Sequence, residues 1–149
     1  MNQSRSEIAM NTEQEQANAE QATWVREHFQ KANGYLVEKG LVTDKVLTKE
    51  CRYLIPHIAI WKFTLRGSTD KVWAINGVCP SDYVDAGVAT TARDALRHFS
   101  LRWQLRADNI LNDANADETQ QKFAQLLINH AEACYDIVER EELWVDQEF

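Results

Sequence analysis

Glycine is sparse in this chain of 149 residues, and its five copies, Gly34, Gly40, Gly67, Gly77 and Gly87, stand isolated. No glycine-rich loop exists to bring backbone amides around a phosphate, which argues against a P-loop or dinucleotide site. Serine occurs only at Ser4, Ser6, Ser68, Ser81 and Ser100, none of them in a Gly-x-Ser-x-Gly elbow. Cys51, Cys79 and Cys134 are odd in number and widely separated, so they do not read as a disulfide framework. No window approaches the roughly 20 apolar residues of a membrane span, and the polar stretch from Met1 to Glu20 has no apolar core of a signal peptide. Basic residues are also in deficit: 16 Lys and Arg face 23 Asp and Glu, for a net charge of −7. Nucleic-acid binding works by displacing counterions with a basic face, and anionic membranes attract the same sign, so both partners are disfavoured. These absences predict a cytoplasmic protein in a reducing compartment, with no cofactor and no metal.

What the chain does contain is bulk for a core, in five Trp, four Tyr and five Phe. Each large aromatic can bury about 150–250 Å². The polar residues 1–12 predict a disordered tail, and residues 13–149 a single α+β domain. A helix is expected from about Glu13 to Lys39, with Trp24, Val25, Phe29, Ala32, Tyr35 and Leu36 on its apolar side. Gly40 stands where a left-handed cap would end it, and Asn33-Gly34 is a candidate break. Ile58–Leu65 alternates, with Ala59, Trp61, Phe63 and Leu65 on one face and Ile58, Ile60, Lys62 and Thr64 on the other. With Lys71–Val78 it makes an antiparallel hairpin about the turn Arg66–Asp70. A two-stranded hairpin is marginal alone. Val46–Leu54, ambiguous between strand and helix, could supply a third strand. Gly77–Asp82 closes the sheet region, because Pro80 cannot continue a central strand. Two helices follow, Thr91–Leu111 and one from the N-cap Asp117 to about Glu142, the latter with Phe123, Leu127, His130, Cys134, Ile137 and Val138 along its apolar side.

The histidines His28, His98 and His130 lie at or beside apolar helix stripes, and none is paired at a metal-ligand spacing. Convergence of His98, His130 and a cysteine in space is left open. Cys79, between a strand and a helix, is the best-placed nucleophile, yet free cysteine is among the most buried residue types. No catalytic residue is assigned. The helix Thr91–Leu111 is the most informative segment. Ala92, Leu96, Phe99, Trp103, Ala107 and Ile110 form one apolar stripe, while Leu101 and Leu105 fall nearly opposite. Such a helix is sandwiched between layers or exposes a contact surface. Its four arginines divide into Arg93 with Arg97 and Arg102 with Arg106, and are expected to pair with Asp82, Asp85 or the acidic C-terminal helix. In the acidic, aromatic end Glu139–Phe149, Trp144 either staples the last helix to the core or docks in a partner groove.

The order Glu50-Cys51-Arg52-Tyr53-Leu54-Ile55-Pro56, Trp61-Lys62, Trp73-Ala74-Ile75-Asn76-Gly77 and Pro80-x-Asp82 resembles a small bacterial family. So does the run from Ala92 to Gln104. That family is catalogued only as a domain of unknown function, numbered in the four-thousand-eight-hundreds, and the resemblance spans roughly Trp24 to Trp144. An acidic residue commonly follows the glycine there, where this chain has Val78. The resemblance implies a stand-alone bacterial protein and brings no activity.

Two functions survive. One is a non-catalytic protein-binding module, such as an adaptor, chaperone or immunity-like protein, whose partner has a basic surface or is a second copy of the chain. The other is a small enzyme or small-ligand binder, with a pocket between the hairpin and helix 91–111. Residues expected to bind ligand or partner are Tyr53, Trp73, Asp82, Arg93, Arg97 and His98.

Overall fold

The computed structural model describes residues 2–145; Met1 of the expected tail and positions 146–149 of the acidic end lie outside the described residues. The order of elements is α1 (Asn2–Glu38), β1 (Thr43–Val46), β2 (Arg52–Leu54), β3 (Ile58–Leu65), β4 (Lys71–Gly77), β5 (Asp82–Asp85), α2 (Ala92–Leu111) and α3 (Glu118–Glu139). The architecture is α+β, an antiparallel sheet of five strands with helices on both faces.

The hairpin β3–β4 forms the middle of the sheet and pairs from Ile58↔Gly77 to Thr64↔Lys71. Its alternation sorts side chains as the sequence predicts. Ala59, Trp61 and Phe63 of β3 join Val72 and Ala74 of β4 beneath Ala32, Leu36 and Phe29 of α1. Ile58, Ile60, Trp73 and Ile75 face the other way, against Leu96, Phe99 and Trp103 of α2 and the inner side of α3. Both faces of the hairpin are therefore core, which is why β3 reads as a nearly continuous apolar run. At its centre Trp61 Nε1 donates to Asn76 Oδ1 at 2.9 Å, and Asn76 Nδ2 donates to His28 O at 2.8 Å. Asn76 is only 3% exposed, and these bonds satisfy it while tying β3, β4 and α1 together.

Val46–Leu54 is neither one strand nor a helix. Its ends form β1 and β2, which share one edge of β3, and residues 48–50 turn between them. Cys51 makes this interruption tolerable. Its sulfur accepts from Lys62 N and donates to Leu47 O, both at 3.3 Å, while Leu47 N donates to Lys62 O at 2.8 Å. A fifth strand, β5, starts at Asp82, where the expected turn ends, and runs through residues to which the sequence reading assigned no element. Asp82 and Asp85 are poor strand formers, but Tyr83 and Val84 pair with Ala74 and Trp73.

Helix α1 begins at Asn2 rather than near Glu13. The added segment contains neither Pro nor Gly, and Gln3, Arg5, Glu7, Ala9 and Met10 within it favour helix. From Asn11 to Ala22 every residue is exposed, so this part of the helix lies clear of the core. The suspected break at Asn33-Gly34 does not occur, and Asn33 Oδ1 instead accepts the Thr43 hydroxyl. The cap falls at Gly40, with φ +82° and Leu41 N donating to Leu36 O at 2.9 Å.

Helices α2 and α3 are N-capped by Thr91 and Asp117, whose side chains accept from Asp94 N and Gln120 N. Small residues are buried on both helices, Ala92, Ala95, Ser100 and Ala107 on α2 and Ala124 and Ala131 on α3, and Ser100 and Ala131 meet at their seam. Ser100 Oγ donates to Ala131 O at 2.8 Å within it. Phe123, expected on the apolar stripe, is 39% exposed, and Ala124 takes the inward position.

The close approach of the chain at Gly77 yields a prediction. Gly77 has φ +130°, and a Cβ there would lie 2.2 Å from His57 O. Gly77→Ala is expected to lower stability by about 3 kcal/mol, read as a fall in the urea midpoint.

Candidate functional site

The six residues singled out from the sequence fall into separate surroundings. Trp73 is fully buried between the sheet and α2; its Nε1 donates to Ala89 O at 3.0 Å, and Lys62 Nζ lies 4.9 Å from its ring. It is core and presents nothing to a ligand. Together with Ile60, Ile75, Leu96, Phe99 and Trp103 it fills the space where a pocket between the hairpin and helix 91–111 was expected. Large aromatics on both layers leave that interface packed.

Asp82 anchors β5 to α2. Its Oδ2 accepts from Trp103 Nε1 at 3.0 Å and its Oδ1 from Tyr83 N at 2.8 Å. Arg102 Nε approaches the same carboxylate at 3.8 Å, while Arg102 Nη1 donates to Tyr83 O at 3.1 Å. Both backbone groups of Tyr83 thus end on side chains, which blunts this edge strand against further pairing.

Arg93 works at the opposite end of α2. Its Nε donates to Val138 O at 2.9 Å and its Nη2 to Glu141 Oε1 at 3.1 Å. The guanidinium lies 5.9 Å from the Trp144 ring, and that of Arg52 lies 6.0 Å from it. Arg52 also donates to Leu143 O, and Trp144 Nε1 donates to Ile137 O at 3.1 Å. Trp144 is a staple, held between two cations, that fixes the end of α3 to β2 and α2.

Arg97 pairs with Asp94 one turn away, on the outer side of α2. His98 is partly exposed beside two shallow hollows. One, of about 280 Å³, includes Val88, Thr90, Asp94 and Leu101; the other, of about 460 Å³, runs along Leu101, Arg102, Leu105, Arg106 and Asn109. Among the described residues, no group of three or more His, Cys, Asp or Glu lies close enough to hold a metal ion.

Tyr53 lines a larger cleft of about 730 Å³, at the turn that carries the cis Ile55–Pro56 bond. The cleft opens between that turn, Gln21 of α1 and the last turns of α3, where Asp136, Ile137 and Arg140 lie. His57 also reaches it. Burial pushes the Tyr53 phenol well above its ordinary range, with the neighbouring Cys51 adding to the shift. Cys51 itself is raised by burial.

Cys79 and Cys134 were not paired by the sequence reading. Cys79, in the turn after β4, packs against the core cluster that contains Cys134 on the inner side of α3. Nothing local marks the two, since β5 and α2 intervene in the chain. The neighbouring Cys134 thiol and burial push Cys79 up, and the neighbouring Cys79 thiol pulls Cys134 down.

A family model described as a domain of unknown function (DUF4826) matches residues 18–144. The match reaches slightly beyond the span from Trp24 to Trp144 over which the resemblance was drawn. No curated protein and no solved structure matches the chain significantly. No helix among the described residues is long and apolar enough to cross a membrane.

Two predictions test these assignments. Asp82→Ala strands the buried Trp103 indole N–H, and should lower stability by about 1–3 kcal/mol in urea unfolding. The second concerns pH. The neutral forms of Cys51 and Tyr53 are favoured by the fold, so the unfolded chain ionises first as pH rises. The stability they contribute is complete at neutral pH and is lost above the ordinary thiol and phenol range, roughly pH 8.5–10. Urea unfolding at pH 7 and pH 10.5 should show this decline, and Cys51→Ala/Tyr53→Phe should flatten it.

Proposed function

The chain belongs to this family of unknown function, which passes on no activity, and from its own geometry we propose a non-catalytic protein-binding module that docks its partner on the outer face of α2. One observation carries the reading. Leu101 and Leu105 lie one turn apart on this face, 49% and 64% exposed, although α2 already fills its core positions with another stripe. Of the two arrangements open to a helix apolar on opposite sides, the exposed contact surface is the one that accommodates these leucines.

The flanks of the ridge suggest the partner. Arg97, His98, Arg102 and Arg106 border the leucines, and the hollow along Leu101 and Leu105 is walled by the last three of these. Three of these are arginines, in a chain of net charge −7, although Arg97 pairs with Asp94 and Arg102 lies near Asp82. A partner that sets an apolar side between these arginines, with acidic side chains at its margins, fits that chemistry. The basic partner expected from net charge alone is less suited to this face.

The small-ligand reading has a specific support of its own. The cleft beside Pro56 falls in the 300–1,000 Å³ range of ligand pockets, and Tyr53, His57 and Arg140 supply polar groups to its apolar wall. A compound that raises Tm in the parent chain but not in Ala133→Trp, which fills the cleft, would favour it.

The docking reading is tested with Leu101→Glu/Leu105→Glu. Both positions are exposed, so stability should change by less than about 1 kcal/mol. Proteins recovered on the parent chain from native cytosol should be lost on the double variant, kept on a Val42→Glu control, and weakened by added salt. Equal recovery on parent and double variant would sink the docking reading.

A further inference from the structure

The cleft beside Pro56 is bordered by charged side chains that the fold leaves free. Arg52, Arg93, Arg97 and Arg102 each donate to a group of the same chain. Among the described residues, the Arg140 guanidinium and the Asp136 carboxylate have no such partner, and they do not pair with each other. Both line the cleft, Asp136 from the last turn of α3 and Arg140 from its C-cap, so they stand about one helical turn apart. Apolar side chains complete the wall: Leu54 and Ile55 from the turn, Ile137 from α3 and Leu143 from the segment after it.

Charge decides what such a wall fits. Asp136 is the acid of the cleft and Arg140 its base, while the whole chain carries −7. A carboxylate alone gains Arg140 but meets Asp136 and the negative field of the protein. An amine alone gains Asp136 but meets Arg140. A ligand with both signs satisfies both residues, and an apolar group beside its charges covers the Leu and Ile surface.

We propose that this cleft binds a free α-amino acid with a large apolar side chain. Its carboxylate sits on Arg140, its ammonium on Asp136, and its side chain against Leu54, Ile55, Ile137 and Leu143. An α-amino acid carries its two charges on one carbon, which suits receptors one turn apart on the same helix. The proposal rests on the small-ligand reading of the cleft and is independent of docking on the outer face of α2. Asp136 and Arg140 are exposed, so solvent screens each ionic contact, which is then worth about 2–5-fold in affinity.

The test is a calorimetric titration of the full chain with L-phenylalanine, with N-acetyl-L-phenylalanine, which lacks the ammonium, and with L-phenylalanine amide, which lacks the carboxylate. Expected is tightest binding of L-phenylalanine, with each capped form weaker by about 2–5-fold. Asp136→Asn should weaken L-phenylalanine by a similar factor without weakening the N-acetyl form, and Arg140→Gln should do so without weakening the amide. Both variants change exposed side chains, and an unchanged urea midpoint would confirm that they fold. No binding of L-phenylalanine, a capped form that binds as tightly, or a charge variant that binds L-phenylalanine like the parent would each overturn the proposal. If a probe binds without regard to these charges but is lost in Ala133→Trp, the cleft remains a ligand site and only the amino-acid assignment falls. Binding of the probes that persists in Ala133→Trp would overturn both.

Discussion

The hairpin β3–β4 must bury both of its faces, and the rest of the structure follows from that requirement. Trp61 lies on one face and Trp73 on the other, each fully buried, so neither side can be left to solvent. Truncating an aromatic in such a place costs about 3–5 kcal/mol, a large fraction of the stability of a single domain. One helix covers the Trp61 side and two cover the Trp73 side. The polar atoms that cannot escape burial are answered across layers: Asn76 by Trp61 and His28, the Trp73 indole by Ala89, Ser100 by Ala131. These bonds join elements distant in sequence, which fixes how the layers sit on one another.

Much of this was legible from periodicity. The alternation of Ile58–Leu65 assigned its two faces correctly, and the caps at Gly40 and Asp117 fall where their chemistry requires. What escaped was governed by tertiary contact. β5 is short and acidic, and its strand form depends on pairing with β4 and on Trp103 and Arg102 reaching Asp82 and Tyr83. The split of Val46–Leu54 depends on one sulfur substituting for a backbone partner, which no local propensity encodes. Phe123 was misjudged because Ala124, a residue with little hydrophobic weight, holds the seam position, where close helix approach counts for more than side-chain bulk.

The candidate site was less legible for a related reason. Trp73 was chosen for its chemistry, but strand parity turns it inward. Arg93, Asp82 and Trp144 have the composition of a binding site, yet each is engaged in fastening one element to another. A cluster of charged and aromatic residues in sequence does not distinguish such fastening from recognition. Only the partner atoms do, and for these residues the partners belong to the same chain. The packing of Cys79 against the core around Cys134 was invisible for the opposite reason, since nothing distinctive surrounds either residue in the sequence.

A functional surface must then be sought among side chains whose positions the fold does not explain. Replacing Leu101 and Leu105 by polar residues would remove no core contact, and a solvent-facing helix position gains nothing from leucine over glutamate or lysine in helix propensity. The neighbouring arginines do have internal work: Arg102 caps β5, Arg97 pairs with Asp94, and Arg106 lies 5.3 Å from the Phe123 ring. Their guanidiniums nonetheless border the leucines, so a partner would meet cations already oriented by contacts within the fold. Arginine immobilised in this way loses less side-chain entropy on binding than a freely rotating one. On the docking reading, the contacts that make α2 part of the structure would also prepare its outer face for a partner.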